Sequence, residues 1–389
     1  MKRFGISLFA CILLISILTL TRAHASTTSR PADKQPAYNA EKFSINLGDF
    51  QTPAELDYPR GSKRAPVVLL IHGAGPQDLE ANVIGDSDGK FRSHIFSDIA
   101  NSLTAHGFAV MRYNKHYITS ANKISDLAKY SKLDMKQLLI DANKVLQYVK
   151  NDAHIDAKRM YLYGWSEGSM IASNMAISHP EIAGLILQGA ISGSPKDTLL
   201  FQARQAFIPY VRPFASKGLL DRTALQKAWT GNGGFPAKEV LGYVTSDPAS
   251  GDFTPNPAFD LNHDGKLDID HELYPTFPAF IDKALLPSGL FHMYGTGHVL
   301  PSVSEQASKL KLPVLILQGR QDGNTPAYGA KRIDTIVDQN GNRDHTLHMY
   351  AHLGHSLGVT PGPAYDNMLP IAQQPLSDIN DWLQKHNAR

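Results

Sequence analysis

The sequence predicts an α/β fold: a mostly parallel, doubly wound sheet that carries a largely helical insert. Three observations lead there. Apolar runs of strand length, such as Pro66-Val67-Val68-Leu69-Leu70-Ile71, alternate with stretches of helical spacing, as covered parallel strands require. One such run leads directly into Gly164-Trp165-Ser166-Glu167-Gly168, and a helix-compatible run follows. The alternation stops over residues 191–310 and resumes afterwards. A chain of 389 residues is long enough for one large domain or two medium ones.

Residues 1–25 read as a signal peptide. Lys2-Arg3 open it, an apolar run covers about residues 4–20, and Ala23-His24-Ala25 offers a small-x-small cleavage site before Ser26. The alternative is a membrane anchor, which the polar stretch after the site disfavours. The expectation is therefore a periplasmic or secreted protein with no membrane partner once the signal is cleaved. Cleavage would remove Lys2, Arg3 and Arg22 and no acid, so 38 basic residues become 35 against 36 acidic ones and the formal charge moves from +2 to −1. That balance gives no reason to expect a nucleic-acid partner. Cys11, the one cysteine, would leave with the signal, so disulfides and thiol chemistry are excluded from the mature chain.

Residues 26–40 are polar with scattered proline, a flexible lead-in. Residues 41–190 form the first part of the core. Phe43-Ser44-Ile45-Asn46-Leu47 alternates like a half-buried strand, and residues 52–58 suit its hairpin partner. The apolar strand at residues 66–71 runs into His72-Gly73-Ala74-Gly75-Pro76-Gln77-Asp78. A helix is expected over 93–105, a buried strand over 108–113, a helix over 133–150, the strand before Gly164, and a strand over 183–188. Residues 191–310 hold helical stretches, prolines and one acidic loop; spliced between two strands, they are expected to form a lid. Residues 311–389 complete the core with strands at 312–319 and 345–350 and a helix at 376–384.

The Gly-x-Ser-x-Gly stretch in this setting has the form of a nucleophile elbow, with Ser166 at its tip; the plainer alternative is a glycine-rich strand-to-helix turn. A serine hydroxyl needs a base, an acid to orient that base, and donors for the oxyanion. Asp322 lies just past a strand in Gly319-Arg320-Gln321-Asp322-Gly323, where it would project from the carboxyl edge of the sheet; an ordinary Asx turn is the alternative. His355, in His352-Leu353-Gly354-His355, is the base candidate, with His345, His348 and His352 as rivals. The backbone N–H groups of Ala74 and Glu167 are the candidate oxyanion donors, and His72 is expected to brace its loop.

Together these four stretches resemble the alpha/beta-hydrolase superfamily, in particular exported bacterial serine esterases related to prolyl-oligopeptidase-like and dienelactone-hydrolase-like proteins. The resemblance covers about residues 43–190 and 312–385 and leaves out the insert. It implies a serine hydrolase that cleaves a carboxylic ester through a Ser166–His355–Asp322 triad and an acyl-enzyme, with no cofactor for catalysis. The substrate would be a small-molecule ester or a peptide-like compound. Peptidase, amidase or thioesterase activity of the same fold is the alternative, and a non-catalytic binding protein is a third reading. One stretch departs from the group: Arg112-Tyr113-Asn114-Lys115-His116-Tyr117 stands where many members carry Arg-Tyr-Asp-Lys-Arg-Gly.

Within the insert, residues 260–272 look like an EF-hand-type calcium loop. Asp260, Asn262, Asp264 and Asp268 fall at oxygen-ligand positions, Lys266 would contribute its carbonyl, and Gly265 permits the turn. Position twelve is His271, so the bidentate carboxylate would have to come from a neighbour, Glu272 or Asp270. A solvated Asx-rich turn is the alternative; a calcium ion held there would be structural. Phe201, Phe207, Tyr210 and Phe214 are candidates for an apolar pocket lining, although an aromatic stripe at helical spacing is more often plain core.

Overall fold

A computed structural model of the protein describes residues 38–85 and 87–388. The signal peptide read at residues 1–25 and the lead-in up to residue 37 lie outside the described residues. The strands of the main sheet are β1 (Tyr38–Asn46), β2 (Gln51–Pro59), β3 (Ala65–Ile71), β4 (Ala109–Tyr113), β5 (Ile155–Trp165), β6 (Ile182–Gln188), β7 (Val314–Gly319) and β8 (His345–Tyr350). They lie side by side in the order β1-β2-β4-β3-β5-β6-β7-β8. The β1–β2 and β2–β4 pairs are antiparallel and every other pair is parallel. Tyr38-Asn39-Ala40, read as the end of the lead-in, already pair with β2.

All seven residues of β3 are buried because both faces of the sheet are covered. Val67, Leu69 and Ile71 enter one core; Val68 and Leu70 enter the other. Helices α1 (Ile95–Ala105), α2 (Met135–Lys150) and α3 (Glu167–Ser178) follow β3, β4 and β5 closely or at a distance, while α4 (Phe235–Val244) and α5 (Tyr274–Ala284) belong to the insert. Helices α6 (Ala327–Gln339) and α7 (Gln373–Asn387) close the chain. α1 and α7 cover one face through Phe96, Ile99, Leu103, Trp382 and Leu383. α2, α3 and α6 cover the other through Leu138, Leu146, Ile171 and Ile333. Asp134 caps α2, its side chain accepting the Gln137 N–H.

The insert has its own core, built from Phe207, Leu225, Leu241, Phe259 and Phe277. Its short strands pair antiparallel, Leu219–Leu220 with Leu267–Asp268 and Thr245–Asp247 with Asp252–Pro255. Leu300, Val303, Ala307 and Leu310, at the end of the stretch assigned to the insert, pack instead into the main core. Ala364 comes from the segment between β8 and α7 and joins the insert's core, so that segment touches both units.

Candidate active site

Ser166 follows β5 directly and occupies the N-cap position of α3 with φ 55° and ψ −121°. A side-chain-bearing residue pays about 1–3 kcal/mol for such backbone, so its flanks must hold it. They do so through close approach. A Cβ on Gly168 would lie 2.2 Å from the Ile71 carbonyl oxygen, and one on Gly164 would lie 2.6 Å from the Gly168 carbonyl oxygen. The Ser166 N–H donates to the Gln188 carbonyl at 2.9 Å, which fixes the turn against β6.

The structure brings Asp322 and His355 together. His355 Nδ1 and Asp322 Oδ2 lie 2.9 Å apart, with both side chains almost wholly shielded from solvent. Oδ1 of Asp322 accepts the N–H groups of Asn324 and Thr325, so the Asx turn and the histidine contact coexist in one side chain. Its Oδ2 also accepts from Thr325 Oγ1 at 2.7 Å and Gln318 Nε2 at 2.8 Å. Burial alone would raise the Asp322 pKa; the His355 charge and these hydrogen bonds outweigh it and hold the carboxyl below its usual range. Burial alone would lower the His355 pKa; the Asp322 carboxylate outweighs it and raises the imidazole.

His355 sits beside the elbow. A Cβ on Gly189, the residue after β6, would lie 2.8 Å from the imidazole. The His355 carbonyl accepts from Gln188 Nε2 at 3.0 Å, and its ring centroid is 5.7 Å from that of Trp165. The Ser166 hydroxyl and His355 Nε2 are not hydrogen-bonded to each other, a contact that commonly tightens only when substrate is bound. The rival histidines have other partners: His345 is paired with Asp334 at 2.6 Å, and His348 lies 3.8 Å from Asp378. His352 engages through its carbonyl, which accepts the Thr360 N–H.

The candidate donors flank the serine. Glu167 is the first residue of α3, so its N–H has no partner within the helix. Gly73, one residue before Ala74, packs so closely that a Cβ there would lie 3.1 Å from Ser166 Cβ. His72 braces this loop through Nε2 and the Asp78 carbonyl at 3.0 Å. Burial first, then the charge of Lys115, push His72 down to about 3, so it stays neutral.

Three residues that sequence reasoning did not assign stand at this site. Lys115 is buried and its ammonium donates to the Gly73 carbonyl and to Glu167 Oε1. Tyr294, from the insert, donates to Glu167 Oε2. Asp366, between β8 and α7, accepts the N–H groups of Gly323 and His355. The stretch around Lys115 departs from the pattern of the group it resembles; Asp366 carries no sequence signal.

In the acidic loop of the insert, Glu272 Oε1 accepts from the N–H groups of Leu261 and Asn262, and its Oε2 accepts from Asp268 N–H. A carboxylate is therefore turned back onto the start of the loop from position thirteen. Asp260 accepts from Asp264 and Gly265, Asn262 also accepts from Asp264, and Asp264 accepts from Lys266. These acidic oxygens are spread out: among the described residues, the grouping with three histidine or acidic ligand atoms within 4.8 Å of one another is Glu41, Asp152 and His154, at the other end of β5 from Ser166. Phe207 and Tyr210, offered as pocket lining, are fully enclosed in the insert's core, with Phe214 packed against it. They serve as core because they pack on Phe277, Tyr365 and each other rather than on open space.

A model of the family described as alpha/beta hydrolase fold matches residues 66–360. The esterase EstD of Thermotoga maritima is 32% identical over 124 residues, which cover 32% of this chain and 27% of that protein. The chain thus matches little more than a quarter of that relative's length. A solved esterase of Pyrococcus furiosus superposes with a TM-score of 0.50 at 11% identity, over 93% of this chain and 96% of that one. An acylaminoacyl peptidase of Pyrococcus horikoshii does so with a TM-score of 0.50 at 12% identity, over 90% of this chain and 42% of that one. These two likenesses show the fold alone. Among the described residues, no helix is long and apolar enough to cross a membrane.

Proposed function

The chain belongs to the alpha/beta hydrolase fold family, and from that premise we propose that it is a serine hydrolase acting on a carboxylic ester. The observation that carries the reading is the buried Asp322–His355 pair standing beside a serine held at φ 55° between two close-packed glycines. His355 takes the Ser166 proton as the hydroxyl oxygen attacks the ester carbonyl, while Asp322 keeps Nδ1 protonated and Nε2 free to act. The oxyanion that forms is met by the N–H groups of Ala74 and Glu167. Collapse expels the alcohol with the proton from His355, and water repeats the sequence to release the acid. The ester class draws support from the EstD match; no metal or organic cofactor has a place in this scheme.

The test is Ser166→Ala assayed on an aryl ester beside a peptide panel. Turnover is expected to fall by roughly a millionfold, since triad members act as a unit, with the melting temperature preserved. A variant that keeps its ester turnover overturns the reading. Peptide cleavage without ester cleavage by the unmodified protein overturns the substrate class.

A further inference from the structure

The Lys115 side chain reaches the site from the loop after β4 and is 6% exposed. Its ammonium donates to the Gly73 carbonyl at 2.9 Å and to Glu167 Oε1 at 2.7 Å. A buried ammonium is costly unless paired, and its carboxylate partner is buried as well, with Glu167 3% exposed. Neither charge can leave the other without being stranded. The pair is thus a fixed element of the site.

One arm of the pair ends on the peptide that carries one candidate oxyanion donor, and the other ends on the side chain of the residue that carries the second. The Gly73 carbonyl and the Ala74 N–H belong to one planar trans peptide unit, in which C=O and N–H point in opposite directions. An ammonium that fixes the carbonyl on one side therefore aims the N–H to the other side. It also polarises that N–H, because a hydrogen bond from a charged donor strengthens the next one along the chain. The second arm holds the side chain of Glu167, whose own N–H is the other donor. Tyr294, from the insert, donates to the remaining oxygen of Glu167 at 2.5 Å. From these contacts we propose that Lys115 is a positioning residue for the oxyanion hole, fixing the Gly73–Ala74 peptide directly and Glu167 through its side chain, and that Tyr294, which packs on the main core three residues after the insert's Phe291, joins this device to the end of the insert. The proposal rests on the serine hydrolase reading above.

A merely structural ion pair and a positioning one both affect melting. They differ in how they treat the transition state, since only positioned donors discriminate it from bound substrate. The experiment compares Lys115→Met, Lys115→Arg and Tyr294→Phe with the unmodified protein on an aryl ester. It measures kcat, KM, the melting temperature, and the affinity of an alkyl trifluoromethyl ketone, whose adduct with serine places an oxyanion in the hole. Lys115→Met is expected to lower kcat roughly 10- to 100-fold, part of the loss seen when a donor is removed outright. KM should change less than about threefold and ketone affinity should fall in step with kcat. Lys115→Arg should restore part of both, and Tyr294→Phe should lose severalfold in kcat with little change in KM.

If Lys115→Met does not fold, the arginine and phenylalanine variants decide. Either set of variants giving unmodified kcat and ketone affinity overturns the proposal, as does a loss confined to KM. Ser166→Ala, run alongside, separates the two ideas. Turnover persisting in Ser166→Ala removes the serine reading itself. An inactive Ser166→Ala beside unaffected Lys115 and Tyr294 variants removes only the positioning role.

Discussion

One carboxylate oxygen ties the acid loop to the base loop: Asp366 Oδ2 accepts the Gly323 N–H at 3.0 Å and the His355 N–H at 2.8 Å. Those two amides belong to the residue after the acid and to the base itself. Burial first, then the negative charge of Asp322, push Asp366 up to about 6, against the two amides that lower it. A carboxyl raised in the folded state contributes stability that is fully present below its unfolded pKa and is lost as pH rises through about 6. Its charge also helps to keep the His355 pKa raised, behind the larger effect of Asp322. Asp366→Asn should therefore move the acid limb of the kcat/KM profile to lower pH, because the base loses a neighbour that favours its protonated form. A profile that stays in place, or moves up, contradicts this. Asp366→Ala leaves three buried N–H groups, those of Gly323, His355 and Met368, without their acceptor and should cost about 2 kcal/mol or more in a denaturant titration.

Secondary structure was legible where periodicity was imposed by burial. β3 and β7 lie between two helical layers, so every position in them is buried and, Gln318 apart, apolar or small, and the runs stand out. β5 begins earlier than its apolar run, at Ile155, because Asp156, Lys158 and Arg159 lie at its open end and need not be apolar. The insert obscured itself in another way. Two of its segments, Gln202–Phe207 and Ile269–Leu273, are π-helical, and its strands are two to four residues long, so neither helical nor strand period persists. Ser166, Asp322 and His355 could be read from local motifs. Lys115, Tyr294 and Asp366 could not, since each acts through a contact with chain far away in sequence.

The acidic loop of the insert closes on itself through Glu272. Its hydrogen bonds place the Glu272 carboxylate against the amides of Leu261 and Asn262, while its acidic oxygens are not gathered to ion-binding distance. We propose that calcium gathers them and acts structurally. Calorimetry should then show one site, and calcium should raise the melting temperature without changing kcat. No heat at millimolar calcium removes the ion from the account, and Glu272→Gln should weaken any binding found.

At the scale of the molecule, the sheet builds one unit around two cores and the insert adds a third cluster of its own. Export of the chain is our proposal from residues 1–25. N-terminal sequencing of the protein recovered from outside the cytoplasm should begin at Ser26, and an intact Met1 there would contradict it.

The contact between the insert and the segment that bears Asp366 has a practical consequence for exchanging parts. The Gly234 N–H donates to the Ala364 carbonyl and the Phe235 N–H to the Asp366 carbonyl, both at 2.8 Å. A Cβ on Gly234 would lie 2.3 Å from the Asp366 nitrogen. A transplanted cap from another hydrolase must therefore bring a glycine to that seam, together with two free amides in the same register. A cap chosen only for its binding surface would push on the backbone that carries Asp366, and through it disturb the spacing of acid and base.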